Sequence, residues 1–269
     1  MTEFHLIGFN MGDNRISSTN KTDVVSIDDQ MKVYLGGGCN SIAILSKDGQ
    51  KAIIVDTKYF GGAKKLRASI HSPEITIINT HFHMDHARGN KLYPEAYVIS
   101  GDTNWKQWDF DTSQSKRPDK ILHPGENAII KLDDETVHVV DFGKAHSPND
   151  LVVYFEKRKV IAAGDLVWVN KHPILLDKNV NIKLWISYLE KMIRDFDIQT
   201  VVPGHGVIAG VDSILEMKQY YISITNTINS HKELMNLKHR YSNYATFPIF
   251  GSFHRTAHII RKEMRKRNA

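Results

Sequence analysis

The sequence predicts an α/β domain followed by a helical C-terminal extension. Three observations carry that expectation. Short runs rich in Val and Ile recur through the first 210 positions, separated by Gly and Asp-Gly punctuation. Segments of helical apolar spacing lie between some of these runs, and the stretch from 211 to 243 is free of Gly and Pro. At 269 residues, 41% of them hydrophobic, the chain can bury one large core with an appendage. The expected division is 1–210 for the main domain and 211–269 for a helical extension packed on it.

Between Lys32 and Thr57 the string VYLGGGCNSIAILSKDGQKAIIVDT reads as two strands joined by a hairpin. GGAKKLRASIHS (Gly61 to Ser72) has helical spacing. EITIINT (Glu74 to Thr80) is a buried strand that delivers the chain into NTHFHMDHARGN (Asn79 to Asn90). AYVISG is a further strand, and the polar stretch Trp105 to Asp119 makes little demand on a core. AIIKL, TVHVVDF, DLVVYFEKRKVIAAG and QTVVPGH then read as strand-like units. Asn181 to Asp197, NIKLWISYLEKMIRDFD, lies between two of them as a crossover helix would. VDSILEMKQYYISITNTINSHKELMNLKHRYSN reads as one or two long helices, whose apolar stripe ILEMKQYYISI leaves room for a homodimer contact.

The one cysteine, Cys39, excludes an intramolecular disulfide and any Cys-only zinc site. Cys39 itself reads as a small buried strand residue, not a nucleophile. Met1 to Asn20 shows no basic segment followed by a sustained apolar run, and no stretch reaches the ~20 apolar residues that span a bilayer. Both observations predict a cytoplasmic chain without a membrane partner. The net charge of +5 is concentrated between Arg255 and Arg267, a run that reads as a solvated helix face, so a nucleic-acid partner is disfavoured.

The chemistry sits in HFHMDH, His81 to His86. Past the end of a strand, His81 and His83 project to one side while Asp85 and His86 turn in from the other, so the run can serve two adjacent metals. Imidazoles with one carboxylate suit zinc, and also iron or manganese. Further ligands are expected at later strand ends, and candidates stand there: His146 in GKAHSPND, Asp165 in AAGDLVW and His205 in VVPGHGV, each beside Gly, Ser or Pro. No G-x-S-x-G element competes with this reading.

HFHMDH, AHSPNDLVVYF, AAGDLVW and VVPGHG together resemble the five-part signature of the metallo-β-lactamase superfamily, in its glyoxalase II-like and broad hydrolase branch. The resemblance runs in the family's order from Met31 to Gly210. It implies an αββα sandwich with metals at one edge and a catalytic role for residues 1–210. His81, His83 and His146 would hold a first metal; Asp85, His86 and His205 a second; and Asp165 would bridge both. Asp56, in IIVDT, matches a family aspartate that orients ligands without binding metal. The implied cofactor is a pair of divalent ions, zinc foremost, with iron or manganese compatible.

The implied activity is hydrolysis of a small carbonyl substrate (a thioester, lactone, ester or β-lactam) by a hydroxide bridging the metals, with Asp85 orienting it and carrying its proton. A phosphodiesterase or nuclease, and a mononuclear iron persulfide dioxygenase, are the alternatives within the superfamily. His83 stands where flavodiiron proteins carry Glu, which argues against an oxygen-reducing centre. Asp165 stands where some zinc β-lactamases differ, which ranks strict β-lactamase activity lower. In GDLVWVNKHPILLD, His172 and Trp168 are weaker candidates for substrate contact.

Overall fold

The computed structural model describes residues 21–102, 116–176, 180–247 and 251–268. Two sheets face each other. The first has seven strands in chain order: β1 (Thr22–Ser26), β2 (Met31–Gly36), β3 (Ser41–Leu45), β4 (Lys51–Val55), β5 (Glu74–Ile78), β6 (Tyr97–Gly101) and β7 (Lys120–Leu122). Pairing is antiparallel from β1 to β4 and parallel from β4 to β7. The second has five, in the order β12 (Thr200–His205), β11 (Val160–Trp168), β10 (Asp150–Phe155), β9 (Glu135–Gly143) and β8 (Asn127–Leu132), with β11 and β12 parallel.

The alternation of side chains along each strand builds the layers. Ile53 and Val55 of β4 enter the inter-sheet core together with Leu151, Val153 and Phe155 of β10. Their neighbours Ala52 and Ile54 face the other way, against Leu66 of α1 (Phe60–Ala68) and Ile70. Val152 and Tyr154 of β10 face outward against α3 (Ile182–Asp195), which buries Ile182, Trp185, Leu189 and Met192 along one stripe. Strands buried on both faces read as continuous apolar runs, and a helix on each outer face completes an αββα sandwich.

α3 starts where Asn181 caps it, its side chain accepting from the Leu184 N–H. Each of its buried Leu- or Trp-sized side chains is worth roughly 1.5–3 kcal/mol. The C-terminal segment folds into α4 (Asp212–Asn226), α5 (His231–Arg240) and α6 (Phe253–Asn268). α5 begins in the S-x-x-E pattern of Ser230 and Glu233, the serine accepting from the Glu233 N–H. Ile214, Tyr221, Leu234, Phe253 and Ile260 from these helices share a core with α3 and β11, so the extension covers the outer face of the second sheet.

Several expectations need revision. The stretch from 33 to 57 holds three strands, because the Gly36–Gly38 run ends β2 before β3 begins, and only β3 and β4 form the Asp-Gly hairpin. The first helix is shorter than its apolar spacing suggested. β1 and β7 are additional strands that no apolar run in the sequence marks, being short and poor in core residues. Cys39 is buried, but in the loop between β2 and β3, not in a strand. Trp105 and Trp108, and most of the Trp105–Asp119 stretch, lie outside the described residues. No helix among the described residues is long and apolar enough to cross a membrane.

Candidate metal centre

The seven predicted ligands converge at one edge of the sandwich, most of them at or just past the end of a strand, whereas Asp165, expected at a strand end, lies inside one. β5 runs out at Ile78, and Asn79 and Thr80 lead into His81 and His83. The four-residue turn of helix α2 (Met84–Ala87) then places Asp85 and His86. His146 follows β9, Asp165 lies within β11 and His205 ends β12. His81, His83, His146 and Asp165 form one group of mutually close ligand atoms, and Asp85, His86 and His205 form a second.

His83 Nδ1 lies 2.9 Å from His81 Nε2 and 3.0 Å from His146 Nε2. Asp165 Oδ2 lies 3.3 Å from His146 Nε2 and 3.9 Å from His81 Nε2. In the second group, Asp165 Oδ1 lies 3.2 Å from His86 Nε2 and 3.3 Å from His205 Nε2, while Asp85 Oδ2 is 3.1 Å from His205 Nε2 and 3.7 Å from His86 Nε2. One carboxylate therefore offers a different oxygen to each group.

These spacings fit metal ions. Donors held ~2.0–2.1 Å from one tetrahedral ion lie roughly 3.3 Å from one another. His86 Nε2 and Asp165 Oδ1 are buried without a hydrogen-bond partner, although they are neighbours. Such orphaned atoms carry a desolvation cost that a cation between them removes. Burial, joined by His86 and His83, holds the His81 imidazole well below its usual range, in the neutral form a metal requires. Burial opposes the charged form of His86, but Cys39, Asp56, Asp165 and Asp85 raise its pKa, so the field at this ring calls for positive charge. Burial likewise opposes ionisation of Asp85, yet His86 and His205 keep it far below the ordinary carboxylate range.

The supporting groups fix which ring nitrogen faces inward. Asp56 Oδ2 is 2.7 Å from His86 Nδ1 and accepts from Thr80 Oγ1, while its Oδ1 accepts from the Thr80 N–H. Thr80 Oγ1 in turn lies 3.2 Å from His81 Nδ1. Asp56 thus steadies one histidine of each group, with Nε2 left for the metal. Asp150 accepts the backbone N–H groups of Ala145, His146 and Ser147 and so shapes the His146 loop. Burial pushes the Asp150 carboxyl up to about 6, against the pull of those N–H groups.

Lys58 is a supporting residue that sequence reasoning missed. It is fully buried, and its ammonium donates to the carbonyls of Tyr34, Gly36 and Cys39, two of them at 2.8 and 2.7 Å. Burial lowers its pKa to about 8, which leaves it charged at neutral pH. The loop it gathers carries Gly36, Gly37 and Gly38 at positive φ, and Asp56 and Lys58 adopt the same left-handed region without being glycine. From that loop Asn40 donates to the carbonyls of Pro203 and Gly206, on either side of His205. Nothing in the sequence marks this lysine as buried, since Lys after Asp-Thr reads as a surface turn.

The two weaker candidates are both buried. His172 is only 3% exposed and packs among Tyr220, Tyr244 and Phe253, with Nδ1 3.0 Å from the Tyr220 hydroxyl. Trp168 stacks on the His205 ring with centroids 4.2 Å apart, and its indole N–H donates to the Asp165 carbonyl. It thus touches two of the seven converging residues. Trp185 is fully buried against His146.

Residues 34–205 match the model of the metallo-beta-lactamase superfamily, a span that holds all seven converging residues and ends at His205. No curated protein matches the sequence significantly. Among solved structures, the metallo-beta-lactamase from Pontibacter korlensis aligns with a TM-score of 0.62 at 17% identity, covering 74% of this chain and 99% of that one. VMB-1 aligns with a TM-score of 0.62 at 19% identity, covering 74% and 96%. The metallo-beta-lactamase DIM-1, in a structure exposed to ceftazidime, gives 0.60 at 17% identity, covering 74% and 95%. At these identities the likeness is one of fold.

Proposed function

The chain belongs to the metallo-beta-lactamase superfamily, and from that premise we propose that it is a binuclear metal-dependent hydrolase of a small carbonyl substrate: a thioester, lactone, ester or β-lactam. The observation that carries this reading is the placement of Asp165, whose two carboxylate oxygens each stand beside histidines of a different group. His81, His83 and His146 would hold one ion, Asp85, His86 and His205 the other, with Asp165 shared. Zinc suits this N/O donor set best, and iron or manganese is compatible.

When bound, a divalent pair supplies Lewis acidity and lowers the pKa of water from about 15.7 toward ~7. The chain's own residues supply position and proton handling. Asp56 and Thr80 lock the His81 and His86 rings, and Trp168 holds His205 and Asp165 in register. Asp85 is the most accessible of the site's carboxylates, its side chain 27% exposed, so solvent reaches it. It is suited to accept a proton from the attacking water and return it to the leaving group.

The test is a panel of a thioester, a lactone, a chromogenic β-lactam and a phosphodiester, assayed with the wild type and Asp165→Ala. Turnover of at least one carbonyl compound, lost in the variant, supports the reading. Turnover of the phosphodiester alone would replace it with a phosphodiesterase.

A further inference from the structure

The whole surplus of positive charge resides on one helix. By sequence, the α6 segment carries Arg255, Arg261, Lys262, Arg265, Lys266 and Arg267 against one acid, Glu263, which gives it a net charge of +5, equal to that of the full chain. The remaining residues therefore balance. Packing orders this charge. Phe253, Ala257, Ile260 and Met264 are buried, which turns His254, His258, Lys262 and Arg265 outward as a row at helical spacing.

That row does not lie on an open convex face. With Arg261 and Lys266 it lines a cavity of about 460 Å³ between α6 and α5, where, among the described residues, Leu234 is the one apolar lining residue and no carboxylate contributes. Arg261 and Arg265 both donate to one acceptor, the carbonyl of Ile228 in the turn after α4, at 2.6 and 2.8 Å. Two guanidiniums thus converge on a single carbonyl oxygen. Arg261 Nε is buried and has no hydrogen-bond partner.

We propose that this cavity binds a compact polyphosphate group, two or more phosphates within one small molecule, as in the diphosphate of a nucleotide. The volume lies within the ~300–1,000 Å³ usual for small-molecule sites. Paired guanidiniums match phosphate oxygens in a fork geometry and gain most where a shared anion relieves their repulsion. Among the described residues the lining has no aromatic platform on which the bases of a nucleic-acid strand would stack. It also lacks the apolar face by which a basic helix enters a membrane surface.

The experiment is calorimetric titration of pyrophosphate into the full chain at physiological salt, alongside a short single-stranded oligonucleotide. The wild type should bind one pyrophosphate per chain at this site. Arg261→Gln/Arg265→Gln and, separately, Lys262→Gln/Lys266→Gln should each weaken that binding at least tenfold. The lysine pair is exposed, so it tests the proposal even if loss of the Ile228 contacts disturbs the fold. Pyrophosphate binding unchanged in the lysine variant would locate the anion elsewhere, at the metal centre, and overturn the proposal. So would oligonucleotide binding without pyrophosphate binding, which would point to an extended strand, and so would no binding of either.

Discussion

Asp56 Oδ2 stands 2.7 Å from His86 Nδ1, and the same carboxylate holds Thr80, which lies against His81 Nδ1. One buried acid therefore orients a histidine in each of the two groups. Asp56→Asn keeps the volume but removes the charge that favours Nδ1–H on His86. The expected outcome is metal binding weakened by ~10–100-fold, with both ions affected. Competition with a chromogenic chelator reads this directly, and an unchanged affinity would remove Asp56 from the account.

Lys58 is expected to matter to the fold even without metal. Lys58→Met leaves three inward-facing carbonyls without a donor, each costing ~1–3 kcal/mol. The variant should lose roughly 3 kcal/mol or more in urea unfolding of metal-free protein. A loss below ~1 kcal/mol would mean that water replaces the ammonium without difficulty.

Gly204 sits where no side chain fits. A Cβ there would lie 2.0 Å from Asp165 Oδ1 and 2.7 Å from the Gly164 carbonyl carbon. Gly204→Ala should push the shared carboxylate aside and release metal, whereas at Gly210 the nearest atom to a new Cβ is 4.0 Å away and Gly210→Ala should leave metal content unchanged. Elemental analysis of the two variants decides it.

The legible parts of the molecule were those in which residue type and position carry one meaning. HFHMDH after a buried strand has few readings other than a metal site, and His146, Asp165 and His205 could be picked out because each follows an apolar run. The crossover helix was visible because Ile182, Trp185, Leu189 and Met192 repeat at helical spacing. What stayed hidden depends on the direction in which a side chain points. His172 follows Asp165 in sequence, where a substrate contact is expected, yet its ring turns into an aromatic cluster of Tyr220, Tyr244 and Phe253, distant in the chain. The role of Lys58 depends on three carbonyls contributed by a loop some twenty residues earlier, which no local pattern encodes.

The burial of His172 has a consequence for stability. Desolvation lowers its pKa from 6.5 to about 4. Between those values the unfolded chain takes up a proton that the folded chain refuses. Its contribution is therefore complete above pH 6.5 and is lost as the pH falls toward 4. Thermal unfolding of the wild type should drop more steeply over this range than that of His172→Phe. Parallel profiles would show that the imidazole gains a proton without cost.

The central claim is that Asp165 is shared by two metal ions, and metal content per chain tests it most directly. Elemental analysis of protein purified without added metal should give close to two divalent ions per chain, and close to one or none in Asp165→Ala. One ion per wild-type chain, or two retained by the variant, would contradict the shared-carboxylate centre.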